Sequence, residues 1–212
     1  MNILSMLARL EHALGCPELT KQMVLLPATT PVQSSQLAKD INLVVGYNAS
    51  PRSQTALDLT LWIAHQTRLA TGKQVTVQVV YVVNWQDVCG RPKLPQRSTE
   101  REAMIEQGAS ATASRQSGSA IAELPALNAQ SCQLDQFEQA DHILWQARHL
   151  ADEWRGSLKT HLRFGGVATE LRQVVEAESA SLLLLGCESI DNPIVQQLGP
   201  TFPCPVLGIP AH

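Results

Sequence analysis

The sequence predicts an α/β protein with an open, mostly parallel five-stranded sheet and helices on both faces. Three observations predict it. Short apolar runs rich in valine or leucine recur at residues 41–46, 75–83, 182–186 and 205–210, which suits strands buried on both faces. Segments with the 3.6-residue spacing of amphipathic helices lie between them. Strands that alternate with helices call for parallel pairing and right-handed crossovers.

The elements follow in order. Residues 2–15 carry the stripe Ile3, Met6, Leu7, Leu10, Ala13 and Leu14, stopped by Gly15 and Pro17. That helix packs on its own domain or serves a partner. Residues 27–40 are rich in Pro, Thr, Ser and Gln and read as a linker, so 1–40 is an extension and 41–212 the α/β domain. The first strand, 41–46, leads into Asn48, Ala49, Ser50 and Pro51. Ser50 is a good N-cap and Pro51 suits the first helical position. A helix follows on Leu57, Leu61, Ala64 and Leu69, and closes near Gly72. The second strand is 75–83.

Residues 84–135 contain a Gly/Ala/Ser/Thr-rich stretch that buries too little apolar area to offset chain ordering. They read as a partly disordered insertion, with a short helix near 99–107. A helix over 137–154 then presents Phe137, Ile143, Leu144, Ala147, Leu150, Ala151 and Trp154. A strand at 157–164, a turn at Gly165 and Gly166, and a helix at 169–179 come next. The strand at 182–186, a short helix at 192–198 and the strand at 205–210 complete the order. Trp62, Trp145 and Trp154 are expected on helix core faces, and Trp85 as a loop anchor.

Composition excludes several classes. The net charge of −3 argues against generic nucleic-acid binding. No run of about 18 apolar residues predicts a membrane span. No basic flank precedes an apolar core at the N-terminus, and Asn2 excludes N-myristoylation. The five cysteines are spread out without a C-x-x-C pair, which favours reduced thiols and a cytoplasmic location. Glu138, His142 and His149 read as solvated helix residues rather than metal ligands. His65 and His161 read as packed or surface histidines. No nucleophile elbow, Walker loop or His-Glu-x-x-His pair occurs.

Two blocks resemble the universal stress protein family. One is residues 41–83, with Val-Gly-Tyr-Asn-Ala-Ser-Pro after the first strand. The other is residues 142–210, with Leu-Leu-Leu-Gly after the fourth strand and Phe-Pro-Cys-Pro-Val-Leu-Gly-Ile-Pro at the end. The resemblance covers roughly half the chain. It implies a site for ATP or another adenine nucleotide, with Mg²⁺ only if ATP binds. By that resemblance Tyr47, Asn48, Ala49 and Ser50 meet the nucleoside, with Asn48 where binders carry aspartate. Val82, in the Tyr81–Val83 stretch, flanks the adenine. The family's phosphate loop reads Gly, two residues, Gly, nine residues, Gly, then Ser or Thr. Here the spacing gives Gly186, Ser189 and Gly199, then Pro200, with Thr201 one place late.

Those departures weaken the loop. A Cβ at Ser189 obstructs close approach to phosphate, and Pro200 supplies neither hydroxyl nor N–H. Glu188 and Asp191 add negative charge. The expected function is a regulatory or stress-response binding module with weakened or altered nucleotide binding. The alternatives are a slow ATPase and a ligand-free interaction subunit. The resemblance also implies a homodimer through the last strand, residues 206–209 from Val206 to Ile209. A protein partner at the N-terminal helix or the insertion is the other expected contact.

Overall fold

The inner strands of the central sheet come from runs whose alternate side chains face opposite layers. The computed structural model describes residues 8, 11–12, 18–27, 40–84, 125–154 and 156–209. Most of the expected N-terminal helix, the linker and the insertion up to residue 124, including Trp85, lie outside these residues.

A short helix α1 (Leu19–Met23) leads into β1 (Val24–Leu26). Then come β2 (Asp40–Gly46), α2 (Pro51–Thr71), β3 (Gln74–Val83), α3 (Pro125–Glu153), β4 (Ser157–Phe164), α4 (Val167–Ala177), β5 (Leu182–Leu184), α5 (Pro193–Leu198) and β6 (Val206–Leu207). The sheet order is β1-β6-β5-β2-β3-β4. All pairs are parallel except β1 with β6. Leu43, Val45, Val77, Val79, Leu182 and Leu184 face the layer of α2 and α3. Val44, Val80, Leu183, Leu185 and Val206 face the layer of α4 and α5. Burial on both faces is why these strands read as continuous apolar runs.

The expected parallel fold is therefore present, with six strands instead of five. The sixth, β1, comes from the N-terminal segment and lies antiparallel on the outer side of β6. Met23, Leu25 and Leu26 are buried there, and the Gly208 N–H donates to the Met23 carbonyl at 2.8 Å. The edge at residues 206–209, expected to meet a two-fold mate, is thus already paired within this chain. Covering an edge strand in this way removes a template for further pairing. Two other details differ from expectation. The helix expected from 137 begins at 125, inside the stretch read as insertion. Trp145, expected in the core, is 56% exposed.

One polar group is fully buried in mid-sheet. Gln78 of β3 donates from Nε2 to Asn42 Oδ1 (3.2 Å) and to Glu178 Oε2 (3.0 Å). Its Oε1 lies 2.8 Å from His161 Nε2, so that ring nitrogen carries the proton. Asn42 Nδ2 donates to the Glu178 carbonyl at 2.7 Å, and the Lys159 ammonium lies 3.7 Å from the Glu178 carboxylate. Burial holds the His161 imidazole below its ordinary value of 6.5; Glu178 opposes this, and Arg163 and Lys159 add to it. The unfolded chain therefore takes up this proton first as pH falls. The contribution of His161 to stability is whole above that ordinary value and declines as pH drops below it. Thermal midpoints between about pH 7.5 and 5.5 are expected to fall, and to fall less in His161→Gln. Equal slopes in both proteins would refute this role.

Candidate functional site

The turn after β2 is closed by its own side chains. The Tyr47 N–H donates to the Val80 carbonyl at 2.9 Å, extending the β2–β3 contact by one residue. The Ser50 N–H donates to Asn48 Oδ1 (3.2 Å), and Ala49 takes the left-handed conformation at φ 59°. Ser50 Oγ accepts from the Ser53 N–H at 3.2 Å, which caps α2 as its sequence indicates. Ser53 Oγ donates to the Ser50 carbonyl (2.9 Å) and accepts from the Asn48 N–H (3.3 Å).

Beside this turn lies a crevice of about 310 Å³. It sits at the carboxyl ends of β2, β3 and β5, where the chain order departs from β2 in both directions across the sheet. Such a switch point is where open parallel sheets hold ligands. Val80, Val82, Leu171 and Leu185 form an apolar floor, and Asn48, Ser50, Ser53 and Asn192 supply the polar rim. The Asn192 side chain already caps α5, accepting from the Ile194 N–H at 3.0 Å. No Lys or Arg lines the crevice among the described residues.

Of the residues singled out from sequence, Asn48, Ser50, Val82 and Gly186 line this crevice together. Tyr47 borders it, but its ring is buried in the core under α2 and α3. Ala49 packs against that same core. Ser189 is exposed and turned onto Asp191, donating to Oδ2 at 3.2 Å and accepting from the Asp191 N–H at 3.1 Å. Gly199 ends α5 at φ 72°, and its N–H donates to the Val195 carbonyl.

The position of Gly199 and Thr201 decides what the loop can hold. They stand at the C-terminal end of a helix, where carbonyls point outward and cations are favoured over anions. Arg172 of α4 fills that place, donating to the carbonyls of Leu198 and Thr201, with its guanidinium 5.1 Å over the Phe202 ring. Gly186 also serves close packing. A Cβ there would lie 2.7 Å from the Ser53 nitrogen and 2.8 Å from the Arg52 carbonyl carbon. The glycine lets β5 meet the start of α2. Glu188, feared as a repelling charge, is paired with Arg52 at 2.6 Å.

Sequence reasoning missed Ser53, Leu171, Asn192 and Ile194 at this site. The Asn192-Pro193 pair was a visible cap signal, but nothing local aims it at a crevice. Cys187 also lines the cavity, and burial pushes its thiol up to about 11, so it stays protonated at neutral pH. Among the described residues no group of three His, Cys, Asp or Glu could hold a metal ion. No helix among them is long and apolar enough to cross a membrane.

No family model and no curated protein matches the chain. Solved structures do. Hypothetical protein MJ0577 is 10% identical, over 81% of this chain and 96% of its own, with a TM-score of 0.54. A universal stress protein family member from Burkholderia pseudomallei is 19% identical, over 80% and 96%, at 0.48. The chain shares its fold with MJ0577. An Arabidopsis thaliana protein of that family with AMP bound is 13% identical, over 81% and 92%, at 0.47. The residues that line the crevice suit the nucleoside part of an adenine nucleotide. They do not suit a triphosphate, because the Gly199 end offers carbonyls and, among the described residues, no basic side chain lines the cavity.

Proposed function

We propose that this chain is a universal stress-type regulatory binding protein. It takes an adenine nucleoside or nucleoside monophosphate in the crevice, held by base and sugar rather than by phosphates. The observation that supports this reading is the cavity itself, apolar below, neutral and polar at the rim, and at the small end of ligand pockets. ATP with Mg²⁺ gains little here, and the described residues of the crevice offer a slow ATPase neither cradle nor base. A cytoplasmic setting agrees with the unpaired thiols of Cys187 and Cys204. Homodimerisation through residues 206–209 belongs to this reading only in a state where β1 has left β6. A ligand-free interaction subunit is the competing reading.

Calorimetry with adenosine, AMP and ATP, with and without Mg²⁺, tests it. Adenosine and AMP are expected to bind within a few-fold of each other, near about 10–100 μM, or roughly −7 to −5.5 kcal/mol. ATP is expected to bind no more tightly, with no gain from Mg²⁺. Absence of heat from all three at millimolar ligand would favour the ligand-free subunit. Mg²⁺-dependent binding of ATP far tighter than AMP would overturn the account of the Gly199 loop.

A further inference from the structure

The ion pair of Arg52 and Glu188, 2.6 Å apart, joins the first turn of α2 to the loop after β5. Both partners spring from backbone at the crevice wall. Arg52 lies between Ser50 and Ser53, which line the crevice, and a Cβ on the lining Gly186 would sit 2.8 Å from the Arg52 carbonyl carbon. Glu188 directly follows Gly186 and Cys187, which line it too. Yet neither charged side chain is part of the lining. The guanidinium is committed to Glu188 instead of the cavity. A cation in the first turn of a helix stands against the helix dipole, which favours this pairing with a carboxylate. The two side chains are 61% and 33% exposed, and an ion pair this open to water is held weakly. Another anion of suitable shape can therefore compete for Arg52.

The neutral rim of the crevice has its own sense. Asn48 Oδ1 accepts from the Ser50 N–H at 3.2 Å, and Asn192 Oδ1 from the Ile194 N–H at 3.0 Å. Ser50 Oγ accepts from the Ser53 N–H at 3.2 Å. A backbone N–H on each of these atoms fixes it as the oxygen. Among the described residues no bond engages either asparagine Nδ2 or the Ser50 hydroxyl proton. These three groups thus offer a ligand donors, and what meets them best is an acceptor. A phosphate monoester is such a group, with oxygens that accept and none that must donate.

We propose that Glu188 is a specificity-determining residue: its carboxylate competes with a ligand phosphate for Arg52, and so makes the crevice indifferent to the 5′-phosphate. This rests on the nucleoside reading of the crevice. While Glu188 holds the guanidinium, a monophosphate gains neutral donors alone, and AMP binds much as adenosine does. Once the guanidinium is released, its paired N–H groups match two phosphate oxygens, and the monophosphate is preferred. The small difference between the two ligands then reflects an occupied cation and not the lack of one.

The test is calorimetry of adenosine and AMP on the full-length parent chain, Glu188→Gln, the double variant Arg52→Gln/Glu188→Gln, and Asp191→Asn. In Glu188→Gln the affinity for AMP is expected to rise about tenfold, while that for adenosine stays within about twofold. The double variant, which has the parent's net charge, is expected to return the AMP-to-adenosine ratio to the parent value. Asp191→Asn removes the same charge three residues along the loop and is expected to move that ratio by less than about twofold, as a screened surface charge does. Thermal midpoints report that each variant keeps its fold. A ratio unchanged in Glu188→Gln, raised as much by Asp191→Asn, or still raised in the double variant overturns the role of Glu188 and leaves the nucleoside reading standing. Failure of adenosine to bind any of the four proteins overturns that reading, and this proposal with it.

Discussion

Replacing Leu25 and Leu26 with aspartate is expected to detach β1 and to lower stability by about 4 kcal/mol or more. Both leucines are almost wholly buried in the layer of α4 and α5. Removing each forfeits roughly 1.5–3 kcal/mol of apolar burial, and an unpaired carboxylate cannot remain where it was. The effect reaches past the strand itself. β6 is two residues long and is held by β5 on one side and β1 on the other. With β1 gone, its outer N–H and C=O groups face solvent and can pair with a second copy. Urea midpoints report the first effect and light scattering the second. A midpoint within about 1 kcal/mol of the parent protein would mean that β1 contributes nothing. A destabilised variant that stays monomeric at all concentrations would sink the edge-pairing idea alone.

Gly186→Ala is expected to cost about 2–3 kcal/mol and to weaken adenosine binding at the same time. The added carbon meets backbone atoms of Arg52 and Ser53, not the flexible end of a side chain. Relief requires the first turn of α2 to move outward. That turn carries Ser50 and Ser53, the crevice rim, so the loss of stability and the loss of binding share one cause. Gly199→Ala is the contrast. It has open space around it but sits at φ 72°, so it costs about 1–2 kcal/mol through backbone strain and leaves the crevice alone. Chemical denaturation and adenosine calorimetry on both variants separate the cases. Parent-like stability and binding in Gly186→Ala would show that β5 and α2 do not meet as closely as described.

β2, β3, β5 and β6 were legible because each belongs to a short apolar run bounded by turn or cap residues. β4 occupies residues 157–164 as its pattern indicates, and the Ser50-Pro51 pair starts α2 where its chemistry places it. Such features are local: a cap or a valine-rich run acts through neighbours a few residues away. β1 escaped because three residues carry no period, and its partner lies about 180 positions down the chain. Trp145 was assigned to the core because helical spacing leaves the edges of the apolar face undefined by one residue.

The candidate site divides in the same way. Asn48, Ser50 and Gly186 were readable as turn, cap and close-approach residues. Spacing alone could not show that Gly199 ends a helix instead of beginning one, because α5 and the reach of Arg172 set the direction of those carbonyls. By itself the sequence determined the alternation of strands and helices, and hence a parallel sheet with a crevice at the ends of β2, β3 and β5. Only the tertiary structure decided which groups face that crevice and which edge β1 covers. Each of these depends on distances between segments far apart in the chain, which no local pattern encodes.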